Sequence, residues 1–495
     1  MKRFKQITGW LLPPFAWALA MIILVVGRWY TQLYNVGFRE LLYTLLSPLK
    51  GTGNDLIPRM IHDCLTTVLR LTLPFLAVWL LLSRCRLTRP IWRKAGTLRT
   101  WLKRLCALVS AAALIVSLVD AEHRLGISEY IRQVSHPTTL YEEHFVAAKD
   151  ISVTPPEKKK NLICLYLESF ESAYASREEG GIHDVNYMPG LTALAKDNVS
   201  FSGTDKLGGF HSPVGTNWTM AALLASTSGI PFAFPVDGNA MNMYQHFAPN
   251  LTTLGDILQR DGYVQEFLCG SDGNFAGRKN YFQQHGGYEV FDLFTAREKG
   301  YIPNDYYVWW GFEDARLYQI ARDELTRLAA GSEPFNFTFL TVDPHYLDGY
   351  LCQECGDTYD TLTGNVIDCA DRQAAAFIDW CRQQPFYEDT VIVIMGDHPR
   401  MDVSLVGTEP SHLRPVYNCF INAPAPARGE NGRLCTTMDL FPTMLSALGY
   451  SIEGHRLGLG TDLFSPLSTL AEDMGLDALQ VELERYSVYY SENFT

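Results

Sequence analysis

Acidic residues are scarce in the first 104 positions, which hold 3 Asp+Glu against 16 Lys+Arg. The rest of the chain reverses the balance with 25 Lys+Arg against 51 Asp+Glu, so the net charge of −13 is the sum of a basic and an acidic region. After residue 104 there is no basic patch interleaved with aromatics, which argues against nucleic acid as a partner. Internal repeats and low-complexity tracts are also lacking, and a 47% hydrophobic content excludes a disordered or fibrous chain. Cysteine is moderate, at 11 residues. Cys352 and Cys355 form one C-x-x-C, followed by Cys369 and Cys381, and no second matching pair exists. That absence turns the reading from a structural zinc site toward disulfides of an oxidising compartment.

Long apolar runs are present, and all lie near the N-terminus. They extend from Trp10 to Val26, Cys64 to Leu82 and Leu105 to Val119, each near the length a bilayer core requires. No small-residue cleavage site separates them, so retained spans are expected rather than a cleaved signal. Lys2, Arg3 and Lys5 precede the first span. Arg84, Arg86, Arg89, Arg93, Lys94, Arg99, Lys103 and Arg104 lie between the second and third. Positive loops stay in the cytoplasm, which sends everything after about Asp120 to the outer side. The expected organisation is a transmembrane region of about three helices over 1–120, a polar membrane-proximal linker over 121–160, a catalytic domain over 161–467 and a tail over 468–495. The run Lys158 to Lys160 reads as a solvated face, and the tail carries no functional signal.

From Asn161 onward, short apolar runs alternate with helical stretches. Asn161 to Leu167, Phe335 to Val342 and Thr390 to Met395 read as buried strands, and Pro189 to Lys196 and Asp371 to Arg382 as helices. This alternation predicts an α/β domain with a mixed, mostly parallel sheet flanked by helices.

Two of these strands run into residues that ligate metals: Glu168 after the first, and Asp397-His398 after the last. In an open α/β sheet such ends share one edge, where ligands gather. Each residue also has a plainer reading, Glu168 as a helix cap and Asp397 as the opening of a turn. Between them lies Gly208-Gly-Phe-His-Ser-Pro-Val-Gly-Thr-Asn-Trp-Thr, ahead of the small-residue helix Met220 to Ala225. Thr216 stands near that helix start, where free N–H groups favour a phosphate and a metal can activate a hydroxyl as nucleophile. On local sequence alone, an N-cap role for Thr216 or Thr219 is the stronger reading.

Strand-Glu168-Ser169, Gly215-Thr216 before a small-residue helix, Asp343-Pro-His345 and Gly396-Asp397-His398 occur in an order that resembles the alkaline phosphatase and sulfatase superfamily. Asn274 to Lys279 with His285-Gly, and Met438 to Leu445, extend the resemblance to the lipoteichoic acid synthase-like transferases, and within them to the phosphoglycerol transferases of periplasmic glucans. The chain departs from that branch at Phe275-Ala-Gly-Arg278, where an aromatic, asparagine, arginine order is usual. Ser212-Pro213 lacks the spacing a formylglycine sulfatase needs.

The resemblance implies an alkaline phosphatase/sulfatase-like fold behind a membrane anchor, and one divalent ion held by Glu168, Thr216, Asp397 and His398. Manganese leads, with magnesium or zinc as alternatives. It further implies that Thr216 is the nucleophile, that His345 contacts the transferred phosphate or protonates the leaving group, and that Arg278 with Asp272 lies near a glycerol pocket. The implied reaction moves phosphoglycerol from phosphatidylglycerol to an extracytoplasmic glycan through a phosphothreonine, releasing diacylglycerol at a bacterial inner membrane. Two alternatives stay open: a phosphoethanolamine transferase acting on lipid A or glycan, and a non-catalytic membrane sensor.

Overall fold

The computed structural model describes residues 2–34, 56–83, 96–234, 241, 246–345, 348–402 and 405–495. The chain divides near residue 136 into an N-terminal helical unit and a larger α/β unit.

The first unit holds α1 (Lys2–Tyr34), α2 (Leu56–Leu82), α3 (Gly96–Leu125) and the short α4 (Ile127–Ser135). Among the described residues, three segments are long and apolar enough to cross a membrane: Leu11–Arg28, Cys64–Leu82 and Gly96–Leu125. The third is longer than the run from Leu105 to Val119 that hydropathy alone marks out. Its side chains explain the outward character, since Leu108, Ile115 and Val119 are largely exposed, as are Leu12 and Phe15 on α1. Within the unit, Trp17 stacks on Phe75 at 4.6 Å and donates to the Leu71 carbonyl at 3.1 Å. Arg99 donates to the terminal Leu82 carbonyl of α2 at 2.7 Å, satisfying a group the helix end leaves open. Arg84, Arg86, Arg89, Arg93 and Lys94, on which the orientation expectation leans, lie outside the described residues.

The second unit is built on a six-stranded sheet of β1 (Asn161–Leu167), β2 (Val264–Cys269), β3 (Glu289–Phe291), β4 (Phe335–Leu340), β5 (Thr390–Gly396) and β6 (Asn418–Ile421). The strand order is β3-β2-β4-β1-β5-β6. All neighbours are parallel except β6, which runs antiparallel to β5. The expected mixed, mostly parallel sheet is therefore present. Sequence missed β2 because Gln265 and Glu266 interrupt its apolar run, yet both are buried.

Alternate residues of the central strands cover opposite faces, as the pleat requires. Ile163, Leu165, Phe337, Phe339, Ile392 and Ile394 pack in the core shared with α6 (Asp314–Ala329) and α7 (Leu362–Arg382). On the other face Tyr166 Oη meets Ser226 Oγ of α5 (Thr219–Ser228) at 2.7 Å, and Cys164 Sγ meets Met444 Sδ of α8 (Leu440–Ala447) at 3.6 Å. Every residue of α5 after its first is buried, which is why that helix is made of Ala, Ser, Thr, Met and Leu.

Two expected boundaries fall differently. Within 121–160, residues 137–160 belong to the α/β unit: Leu140–His144 is a helix, Val153–Thr154 pairs with Ser451–Ile452, and Val146 bridges to Gly458. The tail is packed as well. Thr138 Oγ1 donates to Glu482 at 2.6 Å, and Tyr490, almost wholly buried, donates to the Pro231 carbonyl at 2.9 Å. The anticipated disulfides do not appear among Cys352, Cys355 and Cys369, whose sulfurs stand 3.6 and 3.8 Å from Cys352. A bonded pair requires about 2.05 Å. Cys381 is instead buried in the main core.

Candidate metal and phosphate site

The carboxyl ends of β1 and β5 are neighbours, so Glu168 and Asp397 meet although 229 positions separate them. Asp397 Oδ1 accepts the N–H of Ser169 and of His398, both at 2.8 Å, which locks the two strand ends together. Ser169 takes a left-handed backbone, φ 53°, a sparsely populated state for a residue with a Cβ and typical of functional turns. Gly396 permits the close approach, because a Cβ there would lie 1.9 Å from the Phe170 carbonyl oxygen.

His398 donates from Nδ1 to its neighbour's Pro399 carbonyl at 2.9 Å, leaving Nε2 to face the cluster. Nε2 stands 3.6 Å from Glu168 Oε1, 3.5 Å from Asp397 Oδ2 and 3.4 Å from Thr219 Oγ1, and Thr219 Oγ1 is 3.5 Å from Glu168 Oε2. These separations exceed good hydrogen bonds. They match ligands around a small ion, since a tetrahedral shell with bonds of about 2.1 Å sets its ligand atoms about 3.4 Å apart. Asp397 Oδ2 is buried with no hydrogen-bond partner, the kind of orphan a cation would satisfy. Burial, and then the Glu168 carboxylate, push the Asp397 carboxyl up to about 7. For His398 burial is a large opposing influence, but the adjacent Asp397 and Glu168 charges raise it overall. Glu168, Asp397 and His398 thus fit a divalent ion.

Thr216 does not join them. Residues 213–216 form a tight turn in which Thr216 donates from both its N–H, at 3.0 Å, and its Oγ1, at 2.8 Å, to the Pro213 carbonyl. Its side chain is fully buried, and Gly215 reaches φ 77° to close the turn. The hydroxyl that faces the cluster is that of Thr219, first residue of α5, half-buried at the helix N-terminus. Sequence offered both threonines as caps. Only the turn decides which is spent on backbone and which is left free.

A cavity of about 460 Å³ opens over the cluster, with Glu168, Thr219 and His398 at its base. Asn217, Trp218 and Met220 bring the α5 start to one wall. His345 and Arg278 form another, alongside Trp310, Phe275, Ser271 and Met401. His345 packs on Trp310 with ring centroids 4.8 Å apart. Arg278 is buried, donating to Ser271 Oγ at 3.0 Å, the Asp272 carbonyl at 2.8 Å and the Phe275 carbonyl at 3.1 Å, so its guanidinium is fixed at the cavity edge. Asp272 reaches Arg278 only through its backbone. Its carboxylate accepts the N–H and Nδ2 of Asn274 at 2.8 and 3.0 Å, and it is absent from the cavity wall. Trp310, Ser271 and Asn217 were not foreseen. Of these, Asn217 alone had a signal, its place at a helix start.

Beneath the site, Glu171 Oε1 accepts Arg400 N–H at 2.8 Å and Arg414 Nη1 at 2.9 Å, while fully buried Arg400 donates to the Pro344 carbonyl at 3.0 Å. This buried network braces the loops carrying Glu168, His398 and His345 against one another.

Residues 160–450 match the family model for sulfatases, which spans both strand ends and α5. The chain belongs to the sulfatase family. Among curated proteins it is 31% identical over 435 residues to phosphoglycerol transferase I of Escherichia coli O127:H6, and 31% over 436 residues to that of Shigella boydii serotype 18. Both alignments cover 86% of this chain and 52% of the relative, so the chain spans about half the length of the curated relatives it matches. Two solved structures share the sulfatase-family fold. One is an alkaline phosphatase superfamily protein from Vibrio parahaemolyticus, with TM-score 0.50 and 22% identity, covering 65% of this chain and 74% of the other. The second is the lipoteichoic acid synthase LtaP from Listeria monocytogenes, with TM-score 0.51 and 18% identity, covering 64% and 82%.

Proposed function

We propose that this chain is a membrane-anchored phosphoglycerol transferase whose nucleophile is Thr219. The observation that carries the reading is one hydroxyl, Thr219 Oγ1, at the N-terminus of a buried helix, within 3.5 Å of Glu168 and His398 at the base of a cavity of about 460 Å³. The relatives named phosphoglycerol transferase I supply the substrate class. Thr216, the nucleophile expected from sequence, gives way to Thr219 because its hydroxyl is held by Pro213.

Glu168, Asp397, His398 and Thr219 would hold the divalent ion, manganese first. When bound, it lowers the pKa of the threonine hydroxyl and screens phosphate charge. Thr219 Oγ attacks the phosphorus of phosphatidylglycerol, and the bond from phosphorus to the diacylglycerol oxygen breaks. The N–H groups opening α5 and the Arg278 guanidinium orient the phosphate oxygens. His345 gives a proton to the departing diacylglycerol oxygen, and the Thr219 proton passes to solvent. A glycan hydroxyl then attacks phosphothreonine, its proton going to His345, while the released Thr219 oxygen takes a proton back from solvent. The net exchange is one phosphodiester for another.

The anchor explains how the site reaches a lipid headgroup. We place α1, α2 and α3 in the bacterial inner membrane and the α/β unit on the periplasmic side, following the basic segment before α3. The test is full-length protein in vesicles containing phosphatidylglycerol labelled in its headgroup, without acceptor. Label is expected on the peptide bearing Thr219, together with free diacylglycerol. Label on Thr216, or diacylglycerol released from phosphatidylethanolamine and not from phosphatidylglycerol, overturns the nucleophile or the donor respectively.

A further inference from the structure

Away from this site, three thiols converge. The loop after β4 carries Cys352 and Cys355, and Cys369 faces them from the second turn of α7. Cys352 Sγ lies 3.6 Å from Cys355 Sγ and 3.8 Å from Cys369 Sγ, and all three sulfurs fall within 4.8 Å of one another. For a tetrahedral ion with metal–sulfur bonds of about 2.3 Å, neighbouring sulfurs sit about 3.8 Å apart. A disulfide would draw two of them to about 2.05 Å and strand the third. Cys352 and Cys369 are buried.

A fourth group points the same way. Gln373 follows Cys369 by one helical turn, so both project from one face of α7. Its side chain is 8% exposed, and its amide nitrogen stands 3.2 Å from Cys369 Sγ and 3.5 Å from Cys352 Sγ. Its Oε1 is buried with no hydrogen-bond partner. Half a turn of the amide exchanges the two atoms, carrying the unsatisfied oxygen toward the sulfurs.

We infer that Cys352, Cys355 and Cys369, with Gln373 Oε1 in the fourth position, form a second metal site for a thiophilic divalent ion of the zinc class. Binding displaces the thiol protons to solvent, one per sulfur still protonated. The site would fasten the loop segment carrying Cys352 and Cys355 onto α7. The sequence hid this because its C-x-x-C has no second pair: the third sulfur and the amide come from a helix 14 to 21 positions on.

The test is spectroscopic and independent of the transfer reaction. Reduced full-length protein in detergent is titrated with Co²⁺. Thiolate ligation gives an intense near-ultraviolet charge-transfer band that carboxylate and imidazole ligands do not. The band is expected in the intact chain, retained in Asp397→Asn and lost in Cys369→Ser. In Gln373→Leu it is expected to need about tenfold more Co²⁺. Absence of the band in the intact, folded chain refutes the site, as does a disulfide joining Cys352 to Cys355 or Cys369 in protein isolated from cells. An unchanged titration for Gln373→Leu removes the amide from the ligand set.

Discussion

Thr216→Ala and Thr219→Ala should have opposite consequences, and the structure gives both magnitudes. Thr216 loses a 2.8 Å hydrogen bond, worth about 1 kcal/mol net, and a buried methyl group worth about 0.8 kcal/mol. The Pro213 carbonyl keeps the Thr216 N–H, so no acceptor is orphaned. Thr216→Ala is therefore expected to lose about 2 kcal/mol of stability and keep its turnover. Thr219 makes only contacts of 3.4 and 3.5 Å from a half-buried position, and alanine suits a first helical residue, so its loss should change stability by under about 0.5 kcal/mol. Turnover should fall by at least about a thousandfold, a barrier increase of about 4 kcal/mol, because the covalent route is closed. Diacylglycerol release from labelled phosphatidylglycerol measures turnover, and thermal unfolding in the same detergent measures stability. A folded Thr219→Ala protein with undiminished release, or a folded Thr216→Ala protein without it, would refute the assignment.

Gly396→Ala should be destabilised by about 3 kcal/mol or more, and should bind metal more weakly, since a Cβ placed 1.9 Å from the Phe170 oxygen must push the Glu168 and Asp397 strand ends apart; unfolding and metal titrations would show both. Glu266 on β2 gives a pH effect remote from the metal cluster: burial, then Glu324, raise its carboxyl from 4.5 to about 8 despite Arg327, so the folded state keeps a proton the unfolded chain releases. Stability should be greatest below about pH 4.5 as far as this group is concerned and fall by about 4 to 5 kcal/mol as pH rises through 8. Glu266→Gln should flatten that slope in a pH series of melting curves, and an unchanged slope would exclude Glu266 as its source. Chelation should abolish diacylglycerol release, and Mn²⁺ should restore more of it than Mg²⁺, because an imidazole ligand at His398 favours the softer ion. Equal recovery would contradict that ligand set.

Much of this protein is written locally. The three N-terminal segments and the strands ending at Glu168 and Asp397 are continuous apolar runs, and a run of β-branched and aliphatic residues bounded by turns carries its own period and length. Because parallel strands present their carboxyl ends at one edge, the alternation of elements put Glu168 and Asp397-His398 on the same edge of the sheet, and the pairing of β1 with β5 made them neighbours. Other features depend on groups that only the folded chain brings together. The choice of Thr219 over Thr216 rests on a four-residue turn whose carbonyl captures one hydroxyl and not the other. The Asp272 carboxylate faces Asn274, so only the backbone of that residue serves Arg278. Gln265 and Glu266 are polar in sequence yet buried in a strand, where Gln265 donates to the Gly255 and Gly286 carbonyls and Glu266 pairs with Arg327. Three sulfurs from a loop and a helix become one cluster by the same means. Sequence period reports which face a residue takes; hydrogen-bond partners and metal geometry are set by distances across elements, which the period does not contain.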